Sequence, residues 1–117
     1  MTIFKTFTFD SAHFLPNVDE GHKCRNMHGH TYRLIVYVKG DIDTNLGWVI
    51  DFSDLQTKVK EILKIIDHKV LNDIPGLDNP TCENLARWLW GKTRNLIPAT
   101  CKIELWETPA SGAVLEG

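Results

Sequence analysis

Residues 28–39 read HGHTYRLIVYVK, and from His30 onward the side chains alternate in character. His30, Tyr32, Leu34, Val36 and Val38 fall on one parity, with Thr31, Arg33, Tyr37 and Lys39 largely polar on the other. A period of two is that of a strand with one buried face. His28 shares the apolar parity. Upstream, Ile3 to Phe14 is rich in Phe and Thr, and Phe7, Phe9, Ser11 and His13 share one face of another strand. Between the two, residues 15–29 (LPNVDEGHKCRNMHG) hold Pro, Gly, Asn and two His without a sustained period, which predicts a long loop. Loops of this length inside a small domain often carry function.

Working outward, Gly40 to Gly47 reads as a polar turn region and Trp48-Val49-Ile50 as a short extended piece. Ser53 and Gln56 have the spacing of a capping box, which starts a helix at Ser53. Leu55, Val59, Ile62, Leu63 and Ile66 then form one apolar stripe, with Asp67 and His68 at its C-terminal end. LNDIPGLDNP is dense in turn residues, and Pro80-Thr81 opens a second helix carrying Leu85, Trp88, Leu89 and Leu96 and closed by Pro98. Cys101, Ile103, Leu105 and Glu107 share one parity of a third strand. Thr108 to Gly112 reads as a turn, and Ala113 to Leu115 as a short fourth strand. The predicted fold is α+β: an antiparallel four-stranded sheet with two helices on one face, inserted between the second and third strands.

The chain has 117 residues, 43% hydrophobic and 24% charged, which fits one domain spanning 1–117 and excludes a disordered or fibrous chain. Thirteen Lys plus Arg against fifteen Asp plus Glu give a formal charge of −2, so no electrostatic excess argues for nucleic acid or an anionic membrane as partner. No apolar run approaches the roughly 20 residues of a membrane span, and MTIFKTFTFD lacks the apolar core of a secretory signal. The expectation is a cytoplasmic protein. Three Cys at irregular spacing fit a reducing compartment better than a disulfide framework.

His28 and His30, two apart on a strand, project side by side, as two ligands of one metal ion do. If the first two strands form a hairpin, His13 lies across from them. Three imidazoles form a known catalytic zinc set that leaves a fourth position open. His22 competes for the third place from a loop with no fixed direction. Cys24 is a fourth ligand, a reactive thiolate favoured by Lys23 and Arg25, or a plain buried thiol. Asp67-His68 reads either as a proton relay or as a helix-end cap. Glu107, a carboxylate on an apolar parity, either finds donors, binds a ligand that brings them, or sits exposed at a strand end.

Together, FDSAHFLP, GHKCRNMHGHTY, GWVIDFSDL, IDHKVLNDIPGLDNPTCENLA and WET resemble the 6-pyruvoyltetrahydropterin and 6-carboxytetrahydropterin synthase family, in order and from about Phe4 to Gly117. The resemblance implies zinc on His13, His28 and His30, and Cys24 as the proton-abstracting thiolate. It also implies Asp67 and His68 as an acid or relay pair, Glu107 as the anchor of a pterin ring, and Thr81 and Cys82 beside that ring. Three residues between Cys24 and His28 look like the carboxy branch, whose product feeds 7-deazaguanine (queuosine) biosynthesis. That branch converts 7,8-dihydroneopterin triphosphate and water to 6-carboxytetrahydropterin, acetaldehyde and triphosphate. The alternatives are the pyruvoyl branch and a non-catalytic zinc- or pterin-binding domain. The family fold closes a barrel as a trimer and stacks into a hexamer, with active sites between subunits. Cys82, where relatives usually have Ser or Thr, and Lys69, where many have a second His, depart from the pattern.

Overall fold

The two alternating segments form a long hairpin. The computed structural model describes all residues, Met1–Gly117, and pairs β1 (Thr2–His13) with β2 (His28–Lys39) antiparallel from Thr2↔Lys39 to His13↔His28. This register places Phe7 opposite Leu34 and Phe9 opposite Tyr32, so the apolar parities of both strands face the same way. A slip of one residue would send every one of them to solvent. β3 (Thr100–Thr108) pairs with β2, and β4 (Ser111–Glu116) with β3, giving the sheet order β1-β2-β3-β4.

Helices α1 (Phe52–Ile66) and α2 (Cys82–Leu96) lie between β2 and β3 in the chain and cover one face of the sheet. The five-residue stripe of α1 is buried in full. At about 1.5 to 3 kcal/mol per fully buried aliphatic side chain, that stripe rather than intrinsic propensity holds the helix. On α2 the buried residues are Leu85, Ala86, Leu89 and Thr93, with Trp88 and Leu96 half-buried against the same core.

Three local expectations need correction. Helix α1 starts one residue early, because the Asp51 carboxylate caps it by accepting from Ser53 N–H at 2.8 Å. The Ser53/Gln56 spacing competes with a carboxylate better placed for the helix dipole. Trp48 to Ile50 has no strand partner and runs as bends. The last strand begins at Ser111, two residues early, because the turn shrinks to Pro109-Ala110 and Gly112 already pairs with Trp106. A Cβ at Gly112 would lie 2.3 Å from the Leu105 carbonyl oxygen, so only glycine lets β4 approach this closely.

The long loop contains one 3₁₀ turn, Lys23–Arg25. After α1 the chain returns to the free edge of β1, where Ala12 bridges Val70 in parallel. No helix is long and apolar enough to cross a membrane.

Candidate active site

The hairpin register decides the site: His13 pairs with His28 and Ser11 with His30 at the open end of the sheet. The side chains of His13, His28 and His30 share the buried parity, and their ligand nitrogens lie within 4.8 Å of one another. His13 is 1% exposed. Its Nδ1 lies 2.8 Å from the Pro80 carbonyl oxygen, and His28 Nδ1 lies 2.7 Å from the Asn26 carbonyl oxygen. A carbonyl only accepts, so both rings carry their proton on Nδ1 and leave Nε2 as a bare lone pair. Those two Nε2 atoms face each other at 3.0 Å. His30 Nε2 is buried with no hydrogen-bond partner.

The two facing lone pairs of His13 and His28, with no proton between them, repel, and a cation held by them and the adjoining His30 removes the conflict. The Nε2 separation is close to the roughly 3.3 Å edge of a tetrahedron built on metal–nitrogen bonds of ordinary length. The two carbonyls orient the rings from behind, the usual arrangement for metal-bound imidazoles. Burial lowers the pKa of both His13 and His30, and each is lowered further by neighbouring imidazole, so both stand neutral and ready to ligate. The donor set fits a metal ion held by three nitrogens.

A cavity of about 470 Å³ opens beside this group, lined by Lys23, Cys24, His28, His30, Glu107, Thr108 and Ser111. Cys24 stands in the 3₁₀ turn, its N–H held by His22 Nδ1 at 3.0 Å and its carbonyl by Leu15 N–H at 2.8 Å. Both backbone groups are fixed while the thiol has no partner. His22 is thereby spent as a cap for this turn and takes no part in the imidazole group. Glu107 is reached through a bulge. Trp106 pairs with Gly112 and Thr108 with Ser111, leaving Glu107 out of the β4 register. Its carboxylate lies 3.9 Å from His30 Nε2, and bulges of this kind re-aim side chains next to sites.

The remaining sequence-derived candidates lie elsewhere. The Thr81 hydroxyl caps α2, accepting from Asn84 N–H at 3.1 Å. The Cys82 thiol, half-buried, points at the Leu105 carbonyl oxygen at 3.7 Å. Burial, helped by Glu107, pushes its pKa up to about 11, so it stays a neutral thiol. Neither residue lines the cavity, although Thr81 directly follows the carbonyl that orients His13. Asp67 and His68 sit at the outer edge of β1, with His68 Nδ1 2.9 Å from Asp67 Oδ1. His68 lines a separate depression of about 450 Å³ together with Asp10, Ser11 and Lys69. His30 is the one residue lining both hollows.

Thr108 and Ser111, whose hydroxyls lie 2.8 Å apart in the cavity wall, were not singled out by the sequence. The short spacing across Pro109-Ala110 is the one signal that could have found them. Pro80 could not have been found, because a backbone carbonyl leaves no mark on residue type.

The 6-pyruvoyl tetrahydropterin synthase family model matches residues 2–117. The chain belongs to this family. It is 40% identical to a Synechocystis 6-carboxy-5,6,7,8-tetrahydropterin synthase over 95% of this chain and 89% of the relative. It is 38% identical to the dihydroneopterin monophosphate aldolase of Pyrococcus furiosus over 93% and 91% of the two chains. Its fold superposes on the 6-pyruvoyl tetrahydropterin synthase of Caenorhabditis elegans with a TM-score of 0.90 at 25% identity, covering 100% of this chain and 95% of that one. The α+β architecture is that of the family, and the chain is an enzyme of the pterin synthase type.

Proposed function

We propose that this enzyme is a zinc-dependent 6-carboxytetrahydropterin synthase. It converts 7,8-dihydroneopterin triphosphate and water to 6-carboxy-5,6,7,8-tetrahydropterin, acetaldehyde and triphosphate, for 7-deazaguanine (queuosine) biosynthesis in the cytoplasm. The observation that carries the reading is the three-imidazole group, two of whose members line one cavity with Cys24 and Glu107. The 40% identity to a relative of that name supports the carboxy branch.

His13, His28 and His30 would hold the zinc, which when bound polarises oxygen substituents next to the carbon that loses its proton. Glu107 accepts hydrogen bonds from the pterin amino and ring N–H groups, a planar match to a carboxylate that fixes the ring. Cys24 takes the carbon-bound proton, a task suited to a thiolate whose backbone is pinned and whose sulfur is free. His68, its Nδ1 proton directed at Asp67, presents Nε2 for proton return. Thr81 and Cys82 support the ring pocket from behind: Thr81 fixes the start of α2, and the neutral Cys82 thiol sits against the strand that carries Glu107.

Because Cys24 and the Asp67-His68 pair do not line one hollow within a chain, a second copy brings the pair to the thiol. Association is supported by the free edges of β4 and of β1 before Asp10, and by exposed Ile42, Leu46, Trp48 and Phe52. Closing the sheet edges into a trimeric barrel and stacking two trimers gives the homo-hexamer.

The test is incubation of zinc-loaded protein with 7,8-dihydroneopterin triphosphate and identification of the product by mass. A one-carbon carboxylate side chain is expected. A three-carbon pyruvoyl side chain would move the enzyme to the other branch, and preferential turnover of the monophosphate would move it to the aldolase reaction.

A further inference from the structure

The Asp67-His68 pair is held in an unusual way. His68 is the only non-glycine residue with positive φ, at 59°, a left-handed conformation that costs free energy and needs support from its surroundings. The support comes from three consecutive residues of β1. Asp10 grips both members: its N–H donates to Asp67 Oδ1 at 3.0 Å, and its carbonyl accepts from His68 N–H at 2.6 Å. The Ser11 hydroxyl, 5% exposed, donates to the carbonyl of Ile66, the last residue of α1, at 2.6 Å. Ala12 N–H donates to the Lys69 carbonyl at 3.0 Å. Residues 66–69 are thus fastened bond by bond to residues 10–12.

The Asp10 side chain is fixed in turn. Its carboxylate accepts from the hydroxyl of Thr31, its partner across the strands. One of its oxygens also lies within 4.8 Å of an Asp67 oxygen and a His68 ring nitrogen. Ser11 pairs in the same ladder with His30, and His13 lies two residues further along. One strand therefore sets the metal-binding imidazoles with one face and the relay pair with its edge.

We infer that Ser11 and Asp10 are positioning residues, which lock the strained His68 backbone and its Asp67 contact so that the imidazole keeps one tautomer and one direction. The inference rests on the proposed proton-returning role of His68. Ser11 acts through the end of α1, from the buried side, and Asp10, braced by Thr31, acts from the solvent side. Neither lines the cavity that holds Cys24 and Glu107. Their removal should therefore leave binding intact and loosen the geometry of proton transfer.

The test is a double-mutant cycle on the zinc-loaded, full-length protein. Ser11→Ala should lower kcat roughly 10-fold, the scale of a small misplacement of a catalytic group, with KM and bound zinc unchanged. In a His68→Ala background the same change should have no further effect on kcat. Nitrogen-15 NMR of His68 should show the single Nδ1–H tautomer of the parent protein giving way to a mixture in Ser11→Ala. Thr31→Val, an exposed substitution that spares the core, should act in the same direction and carries the test if Ser11→Ala does not fold. Additive losses of kcat in the double variant, or an unchanged tautomer and kcat in both single variants, would overturn the inference. Unchanged kcat in His68→Ala itself would overturn the role of His68 on which it rests.

Discussion

His13 and His28 meet Nε2 to Nε2 at 3.0 Å, although each ring commits its other nitrogen to a backbone carbonyl. Two Nε2 lone pairs in that orientation have nothing to share, and the contact makes sense as two corners of a coordination polyhedron. His13→Ala, His28→Ala and His30→Ala should each strip most of the bound zinc, because a site with two nitrogens left is a weak one. His22→Ala should keep full zinc, since that ring only caps the 3₁₀ turn. Metal analysis of purified variants decides the matter, and full occupancy in His13→Ala would remove it from the site.

Glu107→Gln should weaken binding of a pterin analogue while zinc stays bound. The substitution turns one acceptor oxygen into a donor amide facing ring N–H donors. Loss of a charge-assisted hydrogen bond costs about 1.5 to 3 kcal/mol, or a rise in Kd of roughly 10- to 150-fold. Calorimetric titration with the analogue measures it. An unchanged Kd would leave Glu107 as a strand-end carboxylate and nothing more.

On the helix-free face, Glu104 accepts from the Tyr37 hydroxyl and from Trp106 Nε1–H at 3.1 Å, and faces Lys102 Nζ at 3.8 Å. The Tyr37 hydrogen bond, above all, holds the Glu104 carboxyl below the usual glutamate range. A depressed folded-state pKa means that the stabilisation is complete above the unfolded value near 4.5 and fades as pH falls through the folded one. Glu104→Gln should therefore cost about 1.5 kcal/mol at neutral pH and much less near pH 3. Denaturant melts at the two pH values give the comparison; an equal loss at both would break the link to ionisation.

The hairpin was readable because strand parity is a property of residue order: His13, His28 and His30 had to share a face once the two alternating runs paired. Glu107 followed from the same parity, although the bulge that frees it from β4 did not. What escaped was geometry carried by backbone or by folding at a distance. Asp51 outcompetes Ser53 as cap, the Pro80 carbonyl orients His13, and Asp10 grips a pair 57 residues away in the chain. No spacing rule encodes such contacts. The place of Asp67-His68, outside the cavity that Cys24 lines, was equally invisible, since sequence adjacency to a helix end says nothing of which hollow His68 faces.

Cys24 offers the sharpest division between a catalytic and a structural centre. Cys24 lines the cavity with His28 and His30, but its sulfur is not among the mutually close ligand atoms, which are the three imidazoles alone. Were it a fourth ligand, Cys24→Ala would open the shell and lower zinc affinity, with a loss of fold stability because structural zinc contributes folding free energy directly. As a base beside the metal it has the opposite signature. Zinc should remain on His13, His28 and His30, and a pterin analogue should still dock against Glu107. Turnover should fall by the roughly 10²- to 10⁴-fold that removal of a general base costs. An alkylating reagent should also modify Cys24 faster than Cys82 or Cys101 in the zinc-loaded protein. Cys82 is kept neutral by burial, and the Cys101 thiol is directed at the Tyr37 carbonyl oxygen at 3.6 Å. Bound zinc, analogue affinity and kcat measured on one Cys24→Ala preparation separate the two cases, and zinc loss matching that of His28→Ala would defeat the assignment of Cys24 as the base.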